Sequence, residues 1–157
     1  MPGTLRLRPM TEDEHATYRA QSEREYADDI AEAGGLDADT AAARSAEEFA
    51  RLLPDGTSSP GMHLWTAEVD GEPVGIGWIE LRQRPNGTSA WVFDLRVDDA
   101  QRGKGLGRAL MEAMHAAARD LGATSVGLNV FGHNTTAVRL YESLGYRVTA
   151  QQMRVDL

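Results

Sequence analysis

Seven consecutive residues, Arg102-Gly103-Lys104-Gly105-Leu106-Gly107-Arg108, combine three glycines with three cations between a strand-like run and a helical one. Glycine permits tight left-handed turns and leaves backbone amides unscreened. The first N–H groups of a helix lack internal partners and lie at the positive end of its dipole. Together these features predict a site for a phosphorylated ligand. Spacing excludes the two commonest versions of such a site. Gly103, Gly105 and Gly107 run G-x-G-x-G rather than the G-x-G-x-x-G of dinucleotide folds. Lys104 is followed by Gly105 and Leu106, with no hydroxyl to hold magnesium as a Walker loop requires.

What the segment does contain is R-x-x-G-x-G, as Arg102, Gly105 and Gly107, after Trp91-Val-Phe-Asp-Leu-Arg-Val97 and before a helical run from Arg108. A second segment, Leu128 to Tyr146, leads from a strand into Asn134, then a helix with Leu140-Tyr141-Glu142, and closes on Gly145-Tyr146. Asn134 suits an N-cap, and Gly145 is placed to end the helix. In order and separation the two segments resemble the paired signatures of the GNAT family of N-acetyltransferases. The resemblance covers residues 74–153 well; earlier residues match only in a loose strand–helix–helix pattern.

The resemblance implies direct transfer of acetyl from acetyl-CoA, as cosubstrate, to a primary amine, with no metal. It implies that Arg102, Gly103, Lys104, Gly105, Leu106, Gly107 and Arg108 hold the coenzyme pyrophosphate. Backbone groups of Leu95 and Val97 would then pair with the pantetheine arm, and Asn134 would bond it as well, although capping alone accounts for an Asn there. Tyr141, in the tyrosine position of the signature, becomes the acid that protonates the departing thiolate.

The base departs from the family's patterns. A Glu that some members carry six positions before the strand's last valine is Trp91 here. The Glu that N-terminal protein acetyltransferases place before a valine of the next strand is Asn129. Three sources remain: Asp94, which strict alternation puts on the strand face opposite Trp91, Phe93 and Leu95; Glu80, acting through a water; or a relay of backbone carbonyls and waters. A carboxylate beside Arg96 or Arg82 makes a poor base, because a nearby cation favours its charged form. Asn129 is left to orient the substrate or a water. Substrate recognition in the family comes largely from the first two helices, where Glu25 and Tyr26 offer an ammonium group charge and a ring. The expected acceptor is a small cationic amine. Protein or peptide N-acetylation and a non-catalytic acetyl-CoA-binding module are the alternatives.

These groups need a scaffold. Alternation in Leu5-Arg-Leu-Arg8 predicts a first strand. Thr11-Glu-Asp-Glu14 predicts a capped helix to about Ala33, and Asp37 or Asp39 a second helix through Leu53. Two strands, His63 to Val69 and Val74 to Leu81, flank Asp70-Gly71 as a hairpin, and Trp91 to Val97 is the next strand. A helix from Leu106 to Leu121, a strand from Ser125 to Val130, a helix from Asn134 to Leu144 and a strand from Arg147 to Val155 follow. The fold class is α/β (α+β). The resemblance implies the GNAT fold: a mixed, mostly antiparallel sheet of about six to seven strands flanked by four helices, in one domain over residues 1–157. In it the parallel strands Trp91–Val97 and Ser125–Val130 splay to admit the pantetheine arm.

Composition narrows the function classes. There is no cysteine, which excludes disulfides, thiolate–metal sites and a cysteine nucleophile. His15, His63, His115 and His133 show no metal-ligand spacing. Thr11 to Glu72 carries sixteen acids against four arginines, a net of −12. From Pro73 onward eight acids meet ten bases, a net of +2. The positive part holds the phosphate loop, and the negative part attracts amines and repels nucleic acid. No apolar run is long enough for a membrane span, so a cytoplasmic location is the expectation. The resemblance also admits a homodimer.

Overall fold

Helix α1 (Glu12–Gly34) starts where a full capping box forms: the Thr11 hydroxyl accepts from the Glu14 amide, and the Glu14 carboxylate accepts from the Thr11 amide. It stops at Gly35, whose left-handed φ of 63° suits glycine. Asp37 caps α2 (Ala38–Leu52) through the Thr40 amide. Three strands follow, β2 (Met62–Val69), β3 (Glu72–Arg84) and β4 (Gly87–Val97), after an opening strand β1 (Leu5–Pro9). Asp70 and Gly71, at φ 53° and 81°, turn β2 into β3, as a two-residue hairpin requires. Helix α3 (Leu106–Asp120), strand β5 (Ala123–Leu128) and helix α4 (Thr135–Ser143) complete the regular elements. This computed structural model describes residues 3–157.

The sheet runs β1-β2-β3-β4-β5, and its first three pairings are antiparallel. β5 is parallel to β4. The Thr124 hydroxyl donates to the Thr88 carbonyl, and Gly127 faces Trp91, so contacts advance together along both strands. The sheet is therefore mixed, as expected, but has five strands rather than six or seven. The expected last strand, Arg147 to Val155, does not form. Val148, Met153 and Val155 stay exposed, and Arg154 pairs with Asp156 two residues on. A strand-like pattern becomes a strand only inside a ladder, and this one lies in none. β5 also begins two residues earlier than expected and ends before Asn129.

Two faces of the sheet are covered differently. On one, Met10, Tyr18, Phe49, Leu53, Met62, Leu64 and Trp78 form a core cluster under α1 and α2. Gly77, next to Trp78, points to the other face, where an added Cβ would come 2.9 Å from the Met114 sulfur of α3. That contact explains how closely α3 packs. Leu106, Leu110, Met111 and Met114 are its buried stripe, each contributing about 1.5–3 kcal/mol. The chain divides into two compact units, Met1–Gly127, which holds this sheet core, and Leu128–Leu157, which holds α4.

Candidate active site

The segment from Arg102 to Arg108 turns through left-handed glycines, as its sequence predicts. Gly103 and Gly105 have φ of 79° and 76°, and an added Cβ at either would meet nothing within 4 Å. Gly105 is the N-cap of α3, with no side chain capping that end. The amides of the first turn, Leu106 to Arg108, have no earlier helical carbonyl to bond. Lys104 donates to Gln101, and Arg102 pairs with Asp99 at 3.1 Å, both exposed. The arrangement is an open, cationic cradle of backbone amides. Arg108 lies on the first turn, 3.8 Å from Glu112.

Strand β4 leads into this loop and carries a feature that alternation does not foresee. Trp78 pairs with Asp94 and Ile79 with Val92, so Phe93 is an extra residue, a β-bulge. Phe93 stacks on Trp78 at 4.7 Å, and Asp94 bonds the phenol of Tyr18, placing both side chains on the α1/α2 face. Arg82 lies over Trp91 and Phe93 together, so Trp91 is on that face too. The expectation that Asp94 faces away from Trp91 and Phe93 is thus corrected. Leu95, paired with Gly77, alone remains opposite it.

Past the bulge, β4 continues its pairing with β3, with Leu95 and Val97 opposite Gly77 and Gly75. The Asp98 amide donates to the Val74 carbonyl at 2.8 Å. By alternation, Leu95 and Val97 direct their backbone groups away from β3. Arg102 Nε already reaches the Val97 carbonyl at 3.3 Å. Contacts with β5 fall at Thr88 and Trp91, and Leu95 and Val97 lie further along the strand.

A side-chain network occupies the α1/α2 face. Asp94 Oδ2 accepts from the Tyr18 hydroxyl at 2.7 Å and from Arg96 Nε at 3.2 Å, and Arg96 Nη2 meets Glu25 at 2.5 Å. Burial, and then the Asp94 charge, push the Tyr18 phenol above its ordinary range. The bond from Arg96 holds Glu25 below the usual carboxylate range. Burial works against the charge on Arg96, but Glu25 and Asp94 outweigh it and keep its pKa raised. Glu80 accepts from Arg82 Nε at 2.5 Å. Arg51, bonded first to Glu48, also feels the charge of Glu80.

The structure therefore brings Asp94, Glu80 and Glu25 onto one face but pairs each with an arginine. Tyr26 is 39% exposed, its ring edge-on to Phe49 at 6.4 Å. Tyr18 is the member of this network that motif reading passed over, and Arg82 and Arg96 entered it only as cations that weaken a carboxylate base. In the run from Trp91 to Val97 an apolar residue recurs at every second position, so nothing local in it marks the bulge at Phe93.

The second unit carries the remaining candidates. Asn134 caps α4 by accepting from the Ala137 amide at 3.2 Å. Tyr141 sits half-buried on α4, its ring 5.6 Å from that of Tyr146. Burial, with a smaller contribution from Tyr141, raises the Tyr146 phenol above its ordinary range. Asn129 is exposed and lies just past the end of β5. Among the described residues no group of three His, Cys, Asp or Glu side chains could hold a metal, and no helix is long and apolar enough to cross a membrane.

Known proteins share this architecture. Residues 30–146 match the model of the acetyltransferase (GNAT) family. The uncharacterized N-acetyltransferase YycN of Bacillus subtilis is 32% identical over 148 residues, covering 93% of this chain and 94% of that protein. Its crystal structure superposes with a TM-score of 0.87 over 98% of this chain and 99% of that one. A mycothiol acetyltransferase of Kytococcus sedentarius is 34% identical over 154 residues, which is 96% of this chain but 48% of that longer protein. With the glycine cradle, the bulged β4 and these likenesses together, the chain belongs to the acetyltransferase (GNAT) family, whose members take acetyl-CoA as cosubstrate.

Proposed function

We propose that this N-acetyltransferase passes acetyl directly from acetyl-CoA to the primary amine of a small molecule, with no covalent enzyme intermediate. The observation that carries the reading is the cradle at Gly103 and Gly105: left-handed glycines at a bare helix N-terminus, just past a strand whose Leu95 and Val97 backbone groups face outward. In this reading residues 102–108 hold the pyrophosphate, and Leu95, Val97 and Asn134 hold the pantetheine arm. The amine nitrogen attacks the thioester carbonyl, the C–S bond breaks, and Tyr141 gives its proton to the leaving thiolate. The proton lost by the amine passes through water to Asp94 or Glu80. Each carboxylate already binds an arginine, which favours a water relay over direct abstraction. Because Glu25 is bonded to Arg96, the cationic amine is drawn by the net negative N-terminal half as a whole and by the exposed ring of Tyr26.

The test is thiol release from acetyl-CoA across polyamines, aminoglycosides, amino acids and peptides. Acetylation of one small-molecule class, identified by mass, is the expected result. Turnover with peptides alone would move the assignment to a protein acetyltransferase. Acetyl-CoA binding without turnover on any amine would end it.

A further inference from the structure

One cation on the α1/α2 face of the sheet is only half engaged. The Arg82 guanidinium lies 4.9 Å from the Trp91 ring centroid and 5.8 Å from that of Phe93. Its Nε donates to Glu80, and its side chain is 33% exposed. Among the described residues, Nη1 and Nη2 have no partner in the chain. Arg96, on the same face, contrasts with it: both ends of that guanidinium meet carboxylates, Asp94 and Glu25. Stacking on two rings and the Nε bond remove most of the freedom of the Arg82 side chain. What remains is an oriented fork of donors, the geometry that binds a carboxylate through two parallel hydrogen bonds.

Its position gives that fork a role. Phe93, under the guanidinium, is the bulge residue, two positions before Leu95 on the strand edge assigned to the acetyl donor. We propose that Arg82 is a specificity-determining residue that binds the carboxylate of the acceptor, and that the acceptor is a free amino acid carrying carboxylate and amine together. This deepens, and rests on, the reading of the chain as an amine acetyltransferase. A zwitterion also suits the surroundings. A dianion would meet Glu80 and the net charge of −12 over Thr11 to Glu72, whereas an amino acid brings its own ammonium to those carboxylates.

Matched pairs test the proposal: histidine against histamine, tyrosine against tyramine, ornithine against putrescine. Two readouts are needed, acetylation rate and saturable change in tryptophan emission, since Trp91 lies under the fork. In the wild type each amino acid should bind at least about tenfold more tightly than its decarboxylated partner, the scale of one charge-assisted contact. Arg82→Gln should erase that preference while leaving coenzyme A affinity unchanged, and Arg82→Lys should restore only part of it. Equal binding within every pair, no saturable binding of any amino acid, or a preference that survives Arg82→Gln would overturn the proposal. If Arg82→Gln fails to fold, Arg82→Lys decides: an undiminished preference in that variant would overturn the proposal. Discrimination in binding without acetylation would leave this inference standing and remove the acetyltransfer reading. Acetylation without discrimination would do the reverse.

Discussion

The regions proposed for the donor and for the acceptor are made from different materials. The donor cradle is backbone: left-handed glycines, a bare helix N-terminus and an outward strand edge, all within residues 95–108. The acceptor face is side chains from distant segments. Tyr18 reaches Asp94 across 76 residues, and Glu25 of α1 reaches Arg96 of β4. A backbone cradle depends on φ angles that few residues tolerate. A side-chain network depends on the packing of whole elements. Damage to the first should therefore remove binding and spare stability, and damage to the second should cost stability along with selectivity.

The largest expected effect is on the donor side. Gly105→Glu forces a side chain into φ 76°, where no neighbour blocks it but the backbone is strained, and adds a negative charge to the phosphate site. Coenzyme A affinity measured by calorimetry should fall more than about 100-fold, because the added charge repels the pyrophosphate and the side chain distorts the turn, while strain of roughly 1–2 kcal/mol lowers the melting temperature by only a few degrees. Comparable losses of binding and folding would break the contrast. Next comes Tyr141→Phe, which should lower kcat by about 10²-fold, the usual worth of a positioned acid, with coenzyme affinity intact. An equal loss in both would remove Tyr141 from the acid role.

On the acceptor side, Tyr18→Phe removes a donor from the Asp94 carboxylate and should destabilise by about 1–3 kcal/mol in urea unfolding. Unchanged stability would mean that water replaces the phenol and the network is not structural. The smallest effect is electrostatic. Arg8 bonds Glu14 at 2.6 Å and 2.9 Å and holds its carboxyl down at about 2, against an ordinary 4.5. The sign follows from that depression. The contribution is complete above about pH 4.5, where an unfolded Glu is ionised, and is lost as pH falls toward 2. The pair is partly exposed, so the loss should be about 1 kcal/mol or less. Glu14→Gln should flatten the stability curve over this window, and a curve as steep as the wild type would show that another carboxylate carries it.

How far the chain could be read in advance follows the same division. Capping by Thr11 and Asn134, the Asp70-Gly71 turn and the α3 start at Leu106 were readable, and the α2 start was narrowed to Asp37 or Asp39, because each is decided by a few neighbouring residues. The strand expected at Arg147 to Val155 was not, because alternation describes a strand's faces and says nothing of a partner. Asp94 was readable as a candidate but its surroundings were not. One unpaired residue, Phe93, reverses the alternation before it, and a bulge is decided jointly by two strands.

By itself the sequence determined the conformation of the loop proposed to hold the donor. Gly103 and Gly105 set the backbone angles of the cradle, and local conformation needs only local residues. Tertiary structure decided the side-chain face proposed for the acceptor: that Tyr18 bonds Asp94, that Glu25 answers Arg96, and that Arg82 lies over Trp91 and Phe93. Those choices come from the register of β3 on β4 and from the packing of α1 across them. Many residues set them together, and no short motif records them.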